Sequence, residues 1–173
     1  MKTPAASTRL DGGCACGAVR YRLAARPLIV HACHCRDCQR LTGSAFVLNA
    51  WIEGRFVETL RGAPASYGLA GGSGRPHDVF FCARCGTYVW SRYSGSRDSL
   101  FVRVGTLDEP DALAPDVHIY TRTKLEWLEL PAGARAFRSF YRIAAVWPAE
   151  SKERMRRQRE AVRRRSARRA PGA

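Results

Sequence analysis

Residues 79–90 read Val-Phe-Phe-Cys-Ala-Arg-Cys-Gly-Thr-Tyr-Val-Trp, two apolar runs joined by a short Cys-x-x-Cys turn. Runs rich in valine and aromatic residues on either side of a glycine-containing turn are typical of a β-hairpin. Two cysteines separated by two residues at such a turn form the usual zinc knuckle. This stretch therefore predicts an antiparallel β fold stapled by zinc.

Further strands are predicted outward from this hairpin. Apolar and arginine side chains alternate over residues 19–23, as expected of a half-buried strand. The glycine-rich stretch 68–74 predicts a flexible loop, and no long helix is expected before residue 148. A mostly β fold follows, with the remaining strands predicted within residues 44–52, 56–60, 100–104 and 126–130.

Length and composition place the chain among single-domain globular proteins. It has 173 residues, of which 46% are hydrophobic and 25% charged, as is usual for a globular domain. No apolar run approaches the roughly 18 residues of a membrane span, and the first residues lack the apolar core of a secretory signal, so we expect a cytoplasmic protein that binds no membrane. We divide the chain into a disordered N-terminus (1–10), a zinc-binding β domain (11–147) and a basic tail (148–173).

The tail carries much of the positive charge. The chain has a net charge of +14, and residues 148–173 contain ten basic and three acidic residues. They lack an apolar stripe, which predicts a solvated tail that is helical or disordered. The alternative is a weak contact of the tail with nucleic acid or another anionic surface. Helix formation is favoured by Glu–Arg pairs at i,i+4 spacing, at Glu150/Arg154, Glu153/Arg157 and Glu160/Arg164.

Seven cysteines fall in three tight groups. An odd number of cysteines without a secretory signal argues against a disulfide framework. Four plus three thiols suit one closed structural zinc site and one zinc site with an open fourth position. Two short pairs from distant parts of the chain are typical of a structural staple, so we predict two Zn²⁺ ions per chain. The structural ligands would be Cys14, Cys16, Cys82 and Cys85, and the open site would contain Cys33, Cys35 and Cys38.

A three-thiolate zinc site predicts sulfur chemistry. Zn²⁺ with three thiolates carries a charge of −1, which makes it a poor activator of water but suits it to binding a further thiol. Arg36 and Arg40 flank the group and could offset this charge or hold a substrate carboxylate, although simple solvent exposure is an equal alternative. In a second interpretation His31 closes the site and makes it structural, whereas His34 would project away from the metal. In a third interpretation the protein is a thiol-based redox or metal sensor.

The motifs resemble those of a known family. Residues 12–21, 33–46 and 81–86, which contain the three cysteine groups, are similar to the cysteine motifs of the glutathione-dependent formaldehyde-activating enzymes. Centromere protein V is related to this family. Residues 105–108, 118–119 and 124–127 resemble later landmarks of the family, so the similarity covers about residues 11–130 and excludes the basic tail.

The resemblance implies both a fold and a reaction. The fold would be a zinc-stapled, β-tent-like antiparallel structure with the same division of zinc ligands. The activity would be that of a carbon–sulfur lyase resembling S-(hydroxymethyl)glutathione synthase, which joins glutathione and formaldehyde. Cys33, Cys35 and Cys38 would then be the catalytic ligands. The alternative function is a non-catalytic zinc module that contacts nucleic acid or another anionic partner through the basic tail.

Overall fold

The computed structural model describes residues 9–72, 74–93 and 98–169, with side chains through residue 164, and within these ranges it contains two β-sheets. The prediction of a mostly β protein with antiparallel pairing is confirmed. The strands are β1 Leu10–Gly13, β2 Arg20–Leu23, β3 Ile29–Cys33, β4 Val47–Glu53, β5 Val57–Arg61, β6 Ala65–Ala70, β7 Pro76–Phe81, β8 Tyr88–Tyr93, β9 Ser99–Arg103 and β10 Val117–Ile119. The α-helices are α1 Arg36–Thr42, α2 Ile143–Val146 and α3 Ala149–Arg169.

The larger sheet has the strand order β10-β3-β4-β9-β8-β7-β6, and the smaller has the order β1-β2-β5. Pairing is antiparallel except between β10 and β3, which run parallel. The main core contains buried side chains from both sheets, with Tyr21 of β2 packed edge-on against Trp90 of β8 at a ring separation of 5.5 Å. Burial of such apolar surface stabilises the fold by about 25 cal/mol per Å².

The first strands and the hairpin at residues 79–90 follow the sequence prediction. Tyr21 and Leu23 are fully buried while Arg20 and Arg22 are half-buried, as the alternation predicts. Strands β7 and β8 form the predicted hairpin around the cysteine knuckle. The predicted disordered N-terminus meets the fold at Leu10, which already belongs to β1, and residues 1–8 lie outside the described ranges.

Two local predictions are wrong. The predicted strand at 126–130 is irregular: the Leu128 N–H donates to the Leu125 carbonyl in a turn, and Trp127 is 71% exposed. Among the described residues no strand pairs with this segment. The loop predicted over the glycine-rich stretch 68–74 is shorter than expected. Strand β6 continues to Ala70, with Gly68 opposite Asp78 of β7, since the ladder of main-chain hydrogen bonds needs no side chain there.

The tail forms the predicted helix, but the prediction of a wholly solvated tail is wrong. Helix α3 buries Ser151, Met155 and Gln158 against the β domain. The Ser151 hydroxyl donates to the Leu28 carbonyl at 2.6 Å, and Met155 joins a second core cluster built around β3, β10 and α2. These three residues are four and three positions apart in the sequence, so they lie on one face of the helix. They form a narrow packing stripe, but two of the three side chains are polar, so a search for apolar residues does not detect it.

Among the described residues, no helix combines the length and apolar character needed to cross a membrane.

Candidate functional site

The first cysteine cluster joins the segment after β1 to the hairpin of β7 and β8. Cys14 and Cys16 follow β1, and Cys82 and Cys85 form the knuckle between β7 and β8; we call these residues the four-cysteine cluster. The knuckle is shaped by main-chain hydrogen bonds from Cys82 to the Thr87 carbonyl at 2.9 Å and from Gly86 to the Cys82 carbonyl at 2.8 Å. The four sulfur atoms lie within 4.8 Å of one another, so the group can hold a metal ion.

The spacing of the sulfur atoms fits a tetrahedral metal site. Cys16 Sγ lies 3.6 Å from Cys14 Sγ and 3.8 Å from Cys82 Sγ. A tetrahedron with zinc–sulfur bonds of about 2.3 Å has edges of about 3.8 Å. The Val19 N–H donates to Cys14 Sγ at 3.2 Å, a bond that favours the thiolate form. Four soft donors at this spacing suit a closed zinc site.

The second cysteine group lies where β3 ends and α1 begins; Cys33, Cys35 and Cys38 form the three-cysteine cluster. Their sulfur atoms also lie within 4.8 Å of one another. Cys33 is the last residue of β3, and Cys35 caps the N-terminus of α1, where its sulfur accepts the Cys38 N–H at 3.4 Å. The segment between them is fixed because Gln39 Nε2 donates to the His34 carbonyl at 2.8 Å.

The three thiols differ in exposure and acidity. Cys33 and Cys38 are buried, whereas Cys35 is half-buried. Hydrogen bonds from the Cys33 and Cys38 thiols and from the main chain of α1 hold the pKa of Cys35 well below its usual range. Metal binding requires thiolates, and the accessible Cys35 is a thiol whose thiolate the protein favours. Three soft donors with one open face fit a zinc site that leaves a coordination position for a small molecule.

Two histidines near this cluster have other partners. His34 is buried, with Nε2 3.0 Å from His118 Nδ1 and its ring against Phe46. His31 Nε2 lies 2.6 Å from the Tyr141 hydroxyl, which also accepts the indole N–H of Trp147 at 2.8 Å. The hydrogen bond between His31 and Tyr141 engages Nε2 of His31. It therefore disfavours the interpretation in which His31 closes the metal site.

A cleft of about 850 Å³ opens over the three-cysteine cluster. Cys33 and Cys35 contribute to its floor. Its mouth carries three exposed arginines, Arg36, Arg75 and Arg122, which we call the arginine rim. The cleft is thus positively charged at its entrance and thiol-bearing at its base.

The loop between β6 and β7 is attached to helix α1 and lines the cleft. The Gly72 N–H donates to the Asp37 carboxylate of α1 at 2.7 Å, and Gly71, Gly72 and Arg75 line the cleft. Gly71 and Gly72 of the glycine-rich stretch are therefore part of the cleft wall.

Sequence reasoning missed Arg103, the last residue of β9. Its side chain is 4% exposed, stacks at 3.9 Å on the Tyr88 ring and donates from Nη2 to the Ser91 hydroxyl at 3.1 Å. Within the described residues no carboxylate pairs with it, and Nε and Nη1 have no hydrogen-bond partner. A buried cation without a counter-charge is costly, which points to a negative charge close by.

That charge is available at the three-cysteine cluster. The hydrogen bond with Cys33 lowers the pKa of Cys38, but the hydrogen bond with Cys35 and burial outweigh it and raise the pKa overall; the positive charge of Arg103 is a smaller influence that opposes this rise. Arg40, predicted to flank the cluster, is exposed, and Arg36 donates to the Gln39 side chain at 2.7 Å. The buried guanidinium is thus better placed than either to offset thiolate charge. No sequence signal marked it, because it lies in the apolar strand β9, far along the chain from the cysteines.

Comparison with known proteins gives three findings. A sequence model described as glutathione-dependent formaldehyde-activating enzyme matches residues 9–123. A Halomonas elongata protein whose name refers to the same enzyme is 25% identical over 147 residues, covering 82% of this chain and 90% of that protein. A crystal structure of a Rhodobacter sphaeroides protein aligns with a TM-score of 0.42 and 19% identity, over 73% of this chain and 97% of that one. This last similarity is too low to support an argument.

Proposed function

Because the chain belongs to the glutathione-dependent formaldehyde-activating enzyme family, we propose that it is a zinc-dependent carbon–sulfur lyase acting on the adduct of a small thiol with an aldehyde. Glutathione is the proposed thiol, and the family's name supports formaldehyde as an aldehyde substrate. The observation that carries the proposal is the three-cysteine cluster, whose half-buried Cys35 lies at the base of an open cleft.

The two cysteine clusters have separate roles in this proposal. The four-cysteine cluster would hold a structural zinc that joins β1 to the knuckle, and binding of such an ion contributes on the order of 10 kcal/mol to folding. Zinc held by Cys33, Cys35 and Cys38 would supply a fourth position for the substrate thiol and lower that thiol's pKa. Arg103 would offset the charge of the three thiolates from within the protein interior.

The cleft supports recognition of a peptide-like thiol. Glutathione carries two carboxylates, and guanidinium groups bind carboxylates through two parallel hydrogen bonds. The arginine rim offers three such groups at the mouth of the cleft, above the thiols. Binding the carboxylates there would direct the cysteinyl sulfur inward, which converts the later addition into a reaction between positioned groups.

The addition itself needs no oxidant or reductant. A sulfur–carbon bond forms between the thiol and the carbonyl carbon, the carbonyl π bond breaks, and the thiol proton ends on the former carbonyl oxygen. Tyr93 and Tyr120 line the cleft, and burial raises the pKa of both phenols, so both stay protonated at neutral pH. Their hydroxyls are the proposed hydrogen-bond donors to that oxygen.

Native mass spectrometry of the intact protein with and without glutathione tests the proposal. We expect two zinc ions and one bound glutathione for the wild-type chain. Cys35→Ser should retain the four-cysteine zinc but lose the second zinc and the glutathione, together with acceleration of adduct formation in ¹³C exchange NMR with formaldehyde.

Cys16→Ser is the matched control. It removes one thiol from the other cluster, and it should lower thermal stability while glutathione binding by the remaining folded protein persists. Full activity of Cys35→Ser, or glutathione binding unaffected by that substitution, would show that the three-cysteine cluster does not bind the substrate thiol.

The alternative function, contact with nucleic acid through the tail, has one supporting observation. Arg159, Arg163 and Arg164 are exposed on α3 beyond Gln158, the last buried residue among the α3 side chains that the structure describes. Neutralising the three arginines to glutamine should abolish salt-sensitive binding to duplex DNA if the tail makes that contact. Unchanged binding by this variant would remove the tail from the argument, and this substitution is preferable to deletion because α3 also packs on the β domain.

A further inference from the structure

We propose that the aldehyde partner carries an aromatic substituent, which the cleft binds through a wall of rings beside the three-cysteine cluster. The inference rests on the proposed function and extends it to the class of aldehyde. The aromatic wall consists of side chains that line the cleft and are linked to one another by ring contacts. Its members are His77, Tyr93, Phe101, Trp51, His31, Phe140 and Tyr120.

The rings form an unbroken series around the cleft. Stacking of His77 on Tyr93 has a centroid separation of 4.2 Å, and Tyr93 meets Phe101 edge-on at 4.9 Å. Phe101 packs on Trp51 at 4.7 Å. The series therefore runs across three neighbouring strands of the large sheet, β8, β9 and β4, together with β7 at one end.

The series of ring contacts continues from Trp51 through His31 and Phe140 to Tyr120. His31 contacts Trp51 at 6.2 Å and Phe140 at 5.8 Å, and Tyr120 lies 6.5 Å from Phe140. Tyr120 has a left-handed backbone conformation, with φ of 57°. A non-glycine residue pays strain energy for that conformation, and such strain is concentrated at functional positions. Phe140 remains 41% exposed, so part of the apolar wall is accessible to a ligand.

This wall has no evident use for formaldehyde and glutathione alone. Formaldehyde contributes one carbon and one oxygen, and glutathione is a polar tripeptide whose charges suit the arginine rim. The cleft volume is about 850 Å³. This falls in the range of about 300–1,000 Å³ that is typical of binding sites for drug-sized organic ligands, which are much larger than formaldehyde. Aromatic rings favour offset or edge-on contact with another ring. A polar mouth and an aromatic interior thus match a thiol adduct that bears a ring near the reacting carbon.

The test compares 3-phenylpropanal with propanal, using the zinc-loaded full-length protein and glutathione. Both are saturated aldehydes with similar carbonyl reactivity, and they differ by the phenyl group. In each case the thiol sulfur adds to the carbonyl carbon and the thiol proton ends on oxygen. We expect kcat/KM from exchange NMR to be at least tenfold higher for 3-phenylpropanal, since one ring can bury a large apolar area.

Variants then locate the source of the preference. Phe140→Ala and Phe101→Leu should each reduce the ratio of the two kcat/KM values by threefold or more. Tyr67→Ala is the matched control: Tyr67 is 46% exposed, similar to Phe140, but lies on the edge strand β6 outside the cleft. This control should leave the ratio unchanged, and zinc content and circular dichroism establish that each variant is folded.

The outcomes separate this inference from the function on which it rests. A kcat/KM for propanal equal to or higher than that for 3-phenylpropanal would overturn the inference and leave the lyase activity intact. A phenyl preference that survives both wall substitutions would also overturn it, because the preference would then arise elsewhere. Zinc and glutathione binding without acceleration for any aldehyde would refute the proposed function itself, and the inference with it.

Discussion

Replacement of Arg154 by methionine should destabilise the β domain, although the residue lies in the basic tail. Arg154 donates from Nη2 and Nε to the two carboxylate oxygens of Glu53, at 2.6 and 3.1 Å. Glu53 ends β4 and is fully buried, while the Arg154 side chain is 21% exposed. Arg154 also donates to the Arg26 carbonyl at 2.9 Å. Its removal would leave a buried carboxylate without its principal partner.

The expected magnitude follows from burial and from the charge that remains. Breaking a fully buried ion pair by removing one partner costs about 3–5 kcal/mol. Two features reduce this figure: Arg154 is partly solvated, and Arg55 remains 4.0 Å from the Glu53 carboxylate. We therefore expect a loss of about 2–3 kcal/mol in the free energy of unfolding, allowing for solvent screening. For a chain of this size that corresponds to a fall of roughly 5–10 °C in Tm.

Urea unfolding of the zinc-loaded protein, followed by tryptophan fluorescence, measures this loss. Glu53→Gln in the Arg154→Met background should recover part of the stability, because a buried amide costs less than a buried carboxylate. Arg157→Met is the matched control, since Arg157 pairs at 2.7 Å with Glu153 on the exposed surface of the same helix. It should leave the midpoint unchanged within error, as expected of a surface ion pair.

Wild-type stability of Arg154→Met would refute this reasoning. It would mean that water or Arg55 compensates Glu53 fully and that the ion pair of Arg154 contributes nothing to the stability of the domain. The expected loss would instead make the first turns of α3 part of the fold. Deletion from residue 149 would then confound any test of nucleic-acid binding by removing a structural contact together with the exposed arginines.

The remaining predictions concern the cleft and its supports. Arg103→Met should weaken zinc binding at the three-cysteine cluster at least tenfold in a chelator competition, with the four-cysteine cluster unaffected; equal loss at both clusters would contradict the counter-charge role. Asp37→Ala should raise the glutathione Kd several-fold in calorimetry, because it frees the loop held by the Gly72 N–H. Glutathione affinity should fall as NaCl is raised, since the arginine rim is exposed and screened by salt; salt-independent affinity would exclude the rim as the carboxylate site. Gly12→Ala should lower stability by about 1–3 kcal/mol in urea unfolding, because its Cβ would lie 2.6 Å from the Thr106 carbonyl oxygen.

The cysteine clusters were predictable from the sequence because the ligand spacing is local. Cys33, Cys35 and Cys38 lie within six residues, so a strand end followed by a helix cap is enough to bring the three sulfurs together. The two remaining pairs are distant in sequence, yet each is a chelating unit by itself. Their convergence was predictable because a closed zinc site requires four donors, and the two pairs together supply four.

The cleft was not predictable in the same way, because its residues come together only through the strand order of the large sheet. Trp51, Phe101 and Tyr93 belong to β4, β9 and β8, and nothing local distinguishes them from core aromatic residues. The predicted strand at 126–130 failed for the opposite reason. It has suitable residues, but a strand exists only where a neighbour can pair with it, and pairing is decided by topology.

The positions of the arginines show why burial, rather than proximity along the chain, decides their roles. Arg36 and Arg40 flank the cysteines in sequence but are exposed, so water and salt screen their charge, and they influence the thiolates weakly. Arg103 is remote in sequence and buried, where a charge interacts strongly and persistently. The fold therefore separates two tasks that the sequence analysis had assigned to the same residues. In the proposed site the buried guanidinium would offset the charge of the thiolates, and the exposed arginine rim would bind the substrate carboxylates.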